Sequence, residues 1–339
     1  MDNRGRLSLI ACGSGKVFAE RVDVELDTIM RAEEGEPFTG LIDSSEIFFA
    51  NREVKTVINE SVRGDDVYVV QFFDDPESPR SVNDNLMALL TAINAAHQAD
   101  AERITVVIPQ FPYARQERKK ARESITARQV CRFIEISGAT RTITLDLHSP
   151  AIGGFFERAT LDDLHASKPL NEYFKTIHNL QNLTVVSPDV GSAERARTLS
   201  RALGCDMAIC DKERDYSRPG TVKMVRLVGD VKDRDVLMVD DMIATGGSII
   251  EAAATCKRLG ARDIYLGCSL PFFNGNAIER LEAAYREGVF KLLMGTDSVP
   301  RGPAFMQSHP WYREVSVAPL FARVIFNINR RLSVSSLLR

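Results

Sequence analysis

The sequence predicts an α/β protein with mainly parallel sheets flanked by helices, on three observations. Short β-branched runs alternate with stretches of helical period along nearly the whole chain. Two helix-to-strand joints read alike, Gly138-Ala139-Thr140-Arg141 and Gly260-Ala261-Arg262-Asp263. Each has a glycine suited to a helix end, which fits a duplicated α/β unit. A length of 339 residues suits two domains of ordinary size.

In chain order the predicted strands are 67–73, 104–109, 142–148, 183–189, 207–211, 222–229, 236–241, 264–269 and 290–296. Between them Leu86, Leu89, Leu90 and Ile93 share one helical face, and Val130, Phe133 and Ile134 another. The polar stretch 161–168 suggests a boundary near residue 165. The expected domains are 1–165 and 166–324, with the tail 325–339 packing back on the first.

Composition narrows the function class. With 44% apolar and 26% charged residues the chain reads as globular, and domains of this size bury a core without covalent staples. The six cysteines form no CxxC pair, and each lies in or beside an apolar run. They read as buried thiols in a reducing compartment rather than as disulfides or a zinc site. No stretch approaches the ~20 apolar residues of a membrane span. The run 7–12 is too short for a signal peptide. A cytoplasmic protein with no membrane partner is expected. A net charge of −3 gives no support for a nucleic-acid partner. The basic run 115–122 lacks an aromatic ladder and suits a small anionic ligand better.

The most informative segment runs Val236-Leu-Met-Val-Asp240-Asp241-Met-Ile-Ala-Thr245-Gly246-Gly247-Ser248. An apolar strand ends in two carboxylates, and a turn then opens a helix. In open α/β sheets, ligands bind beyond the carboxyl ends of the strands. Gly246 and Gly247 let the backbone approach a ligand, free N–H groups at the helix start favour phosphate, and Thr245 and Ser248 add hydroxyls. Asp240 and Asp241 can hold vicinal sugar hydroxyls, directly or through Mg²⁺. Together these features point to phosphoribose binding.

This segment resembles the ribose-phosphate signature of the type I phosphoribosyltransferase fold. That fold includes the transferases proper and the ribose-phosphate diphosphokinases, also called PRPP synthetases. Four further segments are similar to diphosphokinase motifs: Phe49-Ala-Asn51-Arg-Glu53 with Glu60-Ser61-Val-Arg63-Gly64; Tyr113-Ala-Arg115-Gln116-Glu-Arg-Lys119; Asp146-Leu-His148-Ser; and Lys212-Glu213-Arg214. The similarity runs nearly from end to end. It implies two similar phosphoribosyltransferase-like domains, each a mainly parallel sheet flanked by helices.

The resemblance also implies the chemistry. The anomeric hydroxyl of ribose 5-phosphate would attack the β-phosphorus of MgATP, giving 5-phosphoribosyl 1-diphosphate (PRPP) and AMP. Arg115 and Gln116 lie just past the strand 104–109, where a guanidinium and an amide can grip nucleotide phosphate and adenine. Phe49 can stack on a base while Asn51 and Glu53, at alternate positions, read its polar edge; alone, Phe49 reads as core. The resemblance adds that this trio reaches the ATP of a neighbouring subunit. It also makes His148 a contact to Mg²⁺ or ATP phosphates, and Asp189 an aid to magnesium; without it they read as a structural histidine and a helix-start acid. Lys212 and Arg214 would place positive charge where negative charge builds up, at the start of a polar loop able to close as a lid. By composition alone they are a solvated charge run.

Some positions depart from the pattern. Ala244 stands where many members have aspartate, the basic segment after Arg115 is one residue shorter, and insertions appear near 32–39 and 74–81. Ser61, Arg63, Arg122, Ser333 and Ser335 match positions that bind phosphate or ADP allosterically in the large regulated class. The pattern around Gly153 and 161–163 is altered. The resemblance suggests self-association as dimers assembled into a hexamer. Two rivals stand beside the diphosphokinase: a phosphoribosyltransferase joining a base to PRPP, and a regulatory relative without activity.

Overall fold

Apolar runs become buried strands, and the amphipathic stretches between them become helices that cover both sheet faces. The structure, a computed structural model, describes residues 4–214 and 222–337, without the side chains of 212–214 and 222–225. The chain divides into two compact units, Met1–His165 with Ser316–Arg339, and Ala166–Val315.

The first unit contains β1 (Leu7–Ala11), α1 (Lys16–Glu34), β2 (Leu41–Ile42), β3 (Ser44–Phe48), β4 (Val54–Ile58), β5 (Asp66–Val70) and α2 (Val82–Gln98). It continues with β6 (Arg103–Val107), α3 (Thr126–Ser137), β7 (Arg141–Leu145) and β8 (Thr160–Leu164). Its parallel sheet has the order β2-β1-β5-β6-β7-β8, while β3 and β4 form a separate antiparallel hairpin. On one face Ile10, Val67, Val69 and Val106 pack with Leu89 and Ile93 of α2 and Val130 and Ile134 of α3. α2 starts at a capping box: Ser81 Oγ accepts from the Asp84 N–H, and the Asp84 carboxylate accepts from the Ser81 N–H.

The second unit contains α4 (Ser167–Ile177), β9 (Leu183–Ser187), α5 (Ala193–Leu203), β10 (Asp206–Arg214), β11 (Val222–Val228), β12 (Asp235–Met242) and α6 (Gly247–Arg258). It ends with β13 (Ile264–Leu270), α7 (Ala277–Arg286), β14 (Leu292–Thr296), α8 (Gly302–Ser308) and β15 (Tyr312–Val315). Its sheet has the order β11-β10-β9-β12-β13-β14-β15, and every pairing is parallel except β10 with β11. Val186, Met238 and Leu266 pack under Ile249 and Ala253 of α6 and Leu281 of α7.

The last helix, α9 (Ala318–Asn329), belongs to the first unit. It is buried on nearly every side, and Phe321 meets Phe18 of α1 edge-on at 5.3 Å. The return to the first unit therefore begins at Ser316, before the 325 read from the sequence.

The two glycine joints close alike. Gly138 and Gly260 have φ of 120° and 94°, and the N–H of Ala139 reaches Ile134 O as that of Ala261 reaches Cys256 O. The polar stretch 161–168, by contrast, is not a linker at its start. It holds edge strand β8, whose Asp162 pairs with Arg141 and whose Asp163 accepts from the Leu147 N–H at 3.0 Å.

Candidate active site

β12 lies at the centre of the second unit's sheet, between β9 and β13, so both its faces are covered and only its end is accessible. That end carries Asp240 and Asp241. Residues 243–246 then turn into α6, with Gly246 at φ 73° and ψ −9°, a left-handed conformation that costs a side-chain-bearing residue about 1 kcal/mol or more. A neighbouring loop braces this turn. The N–H groups of Phe273 and Asn274 donate to Ile243 O and Ala244 O at 3.0 and 2.8 Å. From α7, Arg280 Nη1 donates to Thr245 O at 3.2 Å, and a Cβ on Gly247 would stand 2.9 Å from its Nη2. Thr245 and Ser248 are exposed. The turn thus presents the amino end of α6 with no side chain in the way at Gly246 or Gly247, a geometry suited to a phosphate.

Next to it the acids are crowded. Ser192, just before α5, donates its hydroxyl to Asp240 Oδ1 at 3.2 Å, and its N–H donates to Asp189 Oδ1 at 2.9 Å. The Asp241 N–H also donates to Asp240 Oδ1, at 3.0 Å. Burial pushes the Asp240 carboxyl up to about 7, aided by the charge and hydrogen bond of Asp241 and by the charge of Asp189, with Arg195 opposing. This corner favours groups that bring it positive charge or hydrogen-bond donors, such as a divalent cation or sugar hydroxyls. No group of three His, Cys, Asp or Glu among the described residues is arranged to hold a metal alone. Magnesium does not require one, because it usually takes one or two carboxylates and completes its shell with water and phosphate oxygens.

In the first unit, Phe49, Asn51 and Glu53 occupy the tip of the β3–β4 hairpin, and all three are exposed. Phe49 is 48% exposed, so it is not a core residue. The strand alternation expected for the trio fails. The tip is a turn closed by Phe49 N–H to Glu53 O at 2.9 Å, and Asn51 Oδ1 accepts from the Glu53 N–H at 3.2 Å. Arg115 and Gln116 are exposed on the loop between β6 and α3. His148 is exposed just past β7, where Asp146 at φ 44° turns the chain. Ser61, Arg63, Arg122, Ser333 and Ser335 are also exposed, and Arg63 faces Asp100 at 3.5 Å.

Lys212 and Arg214 do not begin a loop. β10 runs on through Arg214 because β11 pairs with it, Lys212 opposite Val225 and Arg214 opposite Val222, with a bulge between Glu213 and Arg214. Their side chains, and the expected lid 215–220, lie outside the described residues.

Residues 7–138 match the family described as the N-terminal domain of ribose phosphate pyrophosphokinase, and residues 161–292 match the phosphoribosyl transferase domain. A ribose-phosphate pyrophosphokinase of Campylobacter jejuni is 39% identical over 290 residues, covering 85% of this chain and 88% of the relative. That of Bacillus subtilis is 38% identical over 292 residues, covering 85% and 87%. The chain belongs to the ribose-phosphate pyrophosphokinase family. Among solved structures, phosphoribosylpyrophosphate synthetase from Mycobacterium smegmatis superposes with a TM-score of 0.83 at 31% identity, covering 96% of this chain and 99% of that one. As in that pyrophosphokinase family, the fold is two α/β domains with mostly parallel sheets flanked by helices. No described helix is long and apolar enough to cross a membrane.

Sequence reasoning missed two side chains beside the β12–α6 turn. Ser192 lies in the turn before α5, and only the fold brings its hydroxyl to Asp240. Arg280 sits in an ordinary amphipathic helix, and nothing local marks it as a brace for Thr245.

Proposed function

We propose that this chain is a cytoplasmic ribose-phosphate pyrophosphokinase that transfers the β,γ-diphosphate of ATP to the C1 hydroxyl of ribose 5-phosphate. The observation that carries the reading is the acid pair on β12 followed by the left-handed Gly246 turn into α6. The C1 oxygen attacks the β-phosphorus in line and loses its proton. The bond from that phosphorus to the oxygen bridging to the α-phosphate breaks, and AMP leaves. The products are PRPP and AMP.

Thr245, Gly246, Gly247 and Ser248 hold the 5-phosphate with amides and hydroxyls at the start of α6. Asp240 and Asp241 accept hydrogen bonds from the ribose hydroxyls, which orients C1 and favours ionised Asp240. Phe49, Asn51, Glu53, Arg115 and Gln116 bind ATP, the exposed hairpin trio serving the nucleotide of a neighbouring subunit. Lys212 and Arg214 meet the charge that develops on the transferring group. His148 and Asp189 are the residues that would hold Mg²⁺, which supplies charge neutralisation on the phosphate oxygens when bound. Ser61, Arg63, Arg122, Ser333 and Ser335 form a regulatory phosphate set, and the assembly is a hexamer built from dimers.

The test is AMP formation from MgATP and ribose 5-phosphate with no base added. Equal amounts of AMP and PRPP are expected. No AMP from this pair, with turnover only when PRPP and a purine or pyrimidine base are supplied instead, would make the chain a phosphoribosyltransferase. Tight nucleotide binding without AMP would make it a regulatory relative, and Ala244 the first place to look for the cause.

A further inference from the structure

Four arginines line one cavity of about 430 Å³ in the first unit, far along the sheet from the strand ends that carry Arg115 and His148. Arg103 opens β6, Arg141 opens β7, Arg4 precedes β1, and Arg331 follows α9; Leu332 and Val334 add an apolar wall.

The acids nearby offset the charge of Arg4, Arg103 and Arg141 only in part: Arg4 and Arg103 attract the buried Asp66 carboxyl, which burial nonetheless holds above its usual range. Asp162 pairs with Arg141. Asp66, the register partner of Arg103, gives its Oδ2 to the Asn329 amide and the Tyr68 hydroxyl, each at 2.9 Å, while its buried Oδ1 has no hydrogen-bond partner. Neither Arg4 nor Arg103 makes a side-chain ion pair or hydrogen bond among the described residues.

Arg331 is placed there against local preference. It has φ 56°, and the bond from Leu332 N–H to Asn327 O at 2.7 Å closes α9 around it. That is the helix-end position which glycine usually takes. A guanidinium presents donors in a fork that matches phosphoryl oxygens, and several converging on one cavity select an anion of more than one charge.

We propose that this cavity is a binding site for a phosphoryl anion, either inorganic phosphate or diphosphate or the diphosphate tail of a nucleotide, gripped by Arg4, Arg103 and Arg331. It uses none of Ser61, Arg63, Arg122, Ser333 or Ser335. Because Arg331 lies beyond α9 while Arg103 lies on the sheet, the bound anion ties the chain after α9 to the base of the sheet.

The test is amide hydrogen exchange over residues 326–337 in the full-length chain at matched ionic strength, with sodium chloride, inorganic phosphate, inorganic diphosphate or ADP. At ten times the dissociation constant, the anion should slow exchange there about tenfold relative to chloride. Arg331→Gly removes the charge while relieving the backbone, so it keeps the fold and loses the protection; Arg103→Gln loses it too. Protection by the inorganic anions that Arg103→Gln abolishes assigns them as ligand of this cavity, and protection by ADP alone, abolished by the same variant, assigns a nucleotide whose base uses the apolar wall. The proposal is overturned if none of the three protects beyond chloride, or if protection survives in the Arg103→Gln/Arg331→Gly double variant.

Discussion

Replacing Asp240 with asparagine should stabilise the unliganded protein, and more so as pH rises. The folded carboxyl titrates near 7 against 3.8 when free of its surroundings. Its contribution to stability is therefore full below about 3.8 and is lost as pH rises through 7. The whole interval corresponds to about 4 kcal/mol, of which about 2–3 kcal/mol falls between pH 5 and 8. Asparagine keeps an acceptor for the Ser192 hydroxyl and the Asp241 N–H but carries no charge. The readout is built in, since Trp311 is the single tryptophan and lies fully buried in the second unit. Urea unfolding followed by its fluorescence, without magnesium or substrate, should show the variant's advantage growing by about 2–3 kcal/mol from pH 5 to pH 8, a midpoint difference of about 1 M or more. Equal midpoints at pH 8, or an advantage that does not change with pH, would refute the argument that crowding and burial hold this carboxyl in its neutral form.

Two further outcomes are expected. Lys212→Ala should lower turnover at least a hundredfold while changing the KM for ribose 5-phosphate little, because its charge is needed in the transition state; steady-state kinetics would show an unchanged turnover if the lysine has no part. Gly246→Ala must hold a left-handed backbone at φ 73°, so thermal denaturation should show a loss of about 1 kcal/mol and kinetics a raised KM for ribose 5-phosphate with smaller change in turnover.

Much of the fold could be read from the residues because strands buried on both faces are apolar throughout, as in the run from Val236 to Val239. The strands that escaped are mostly at edges or in the hairpin. β8 reads Thr-Leu-Asp-Asp-Leu and β15 reads Tyr-Arg-Glu-Val, where charged side chains serve tertiary partners and hide the pattern. β3 and β4 pair only with each other, and their mixed burial gives no core signal. β10 was cut short at Asp211 for a related reason: Lys212, Glu213 and Arg214 read as a solvated run, and only pairing with β11 reveals them as strand.

The turn between β12 and α6 was legible because its parts are contiguous: acids, glycines and hydroxyls follow one another. Ser192 and Arg280 were not, since they reach the site from other elements. Phe49 taken alone points the other way. An aromatic residue next to Ile47 and Phe48 looks like core, and only the hairpin's turn exposes it.

The most direct measurement is calorimetric titration of the purified chain with ribose 5-phosphate in the presence of magnesium and absence of nucleotide. One equivalent per chain should bind, and Asp241→Asn should weaken it about tenfold or more, the value of a lost hydrogen bond to a charged group. No heat from the natural protein, or equal affinity in the variant, would contradict the placement of the sugar phosphate at the end of β12.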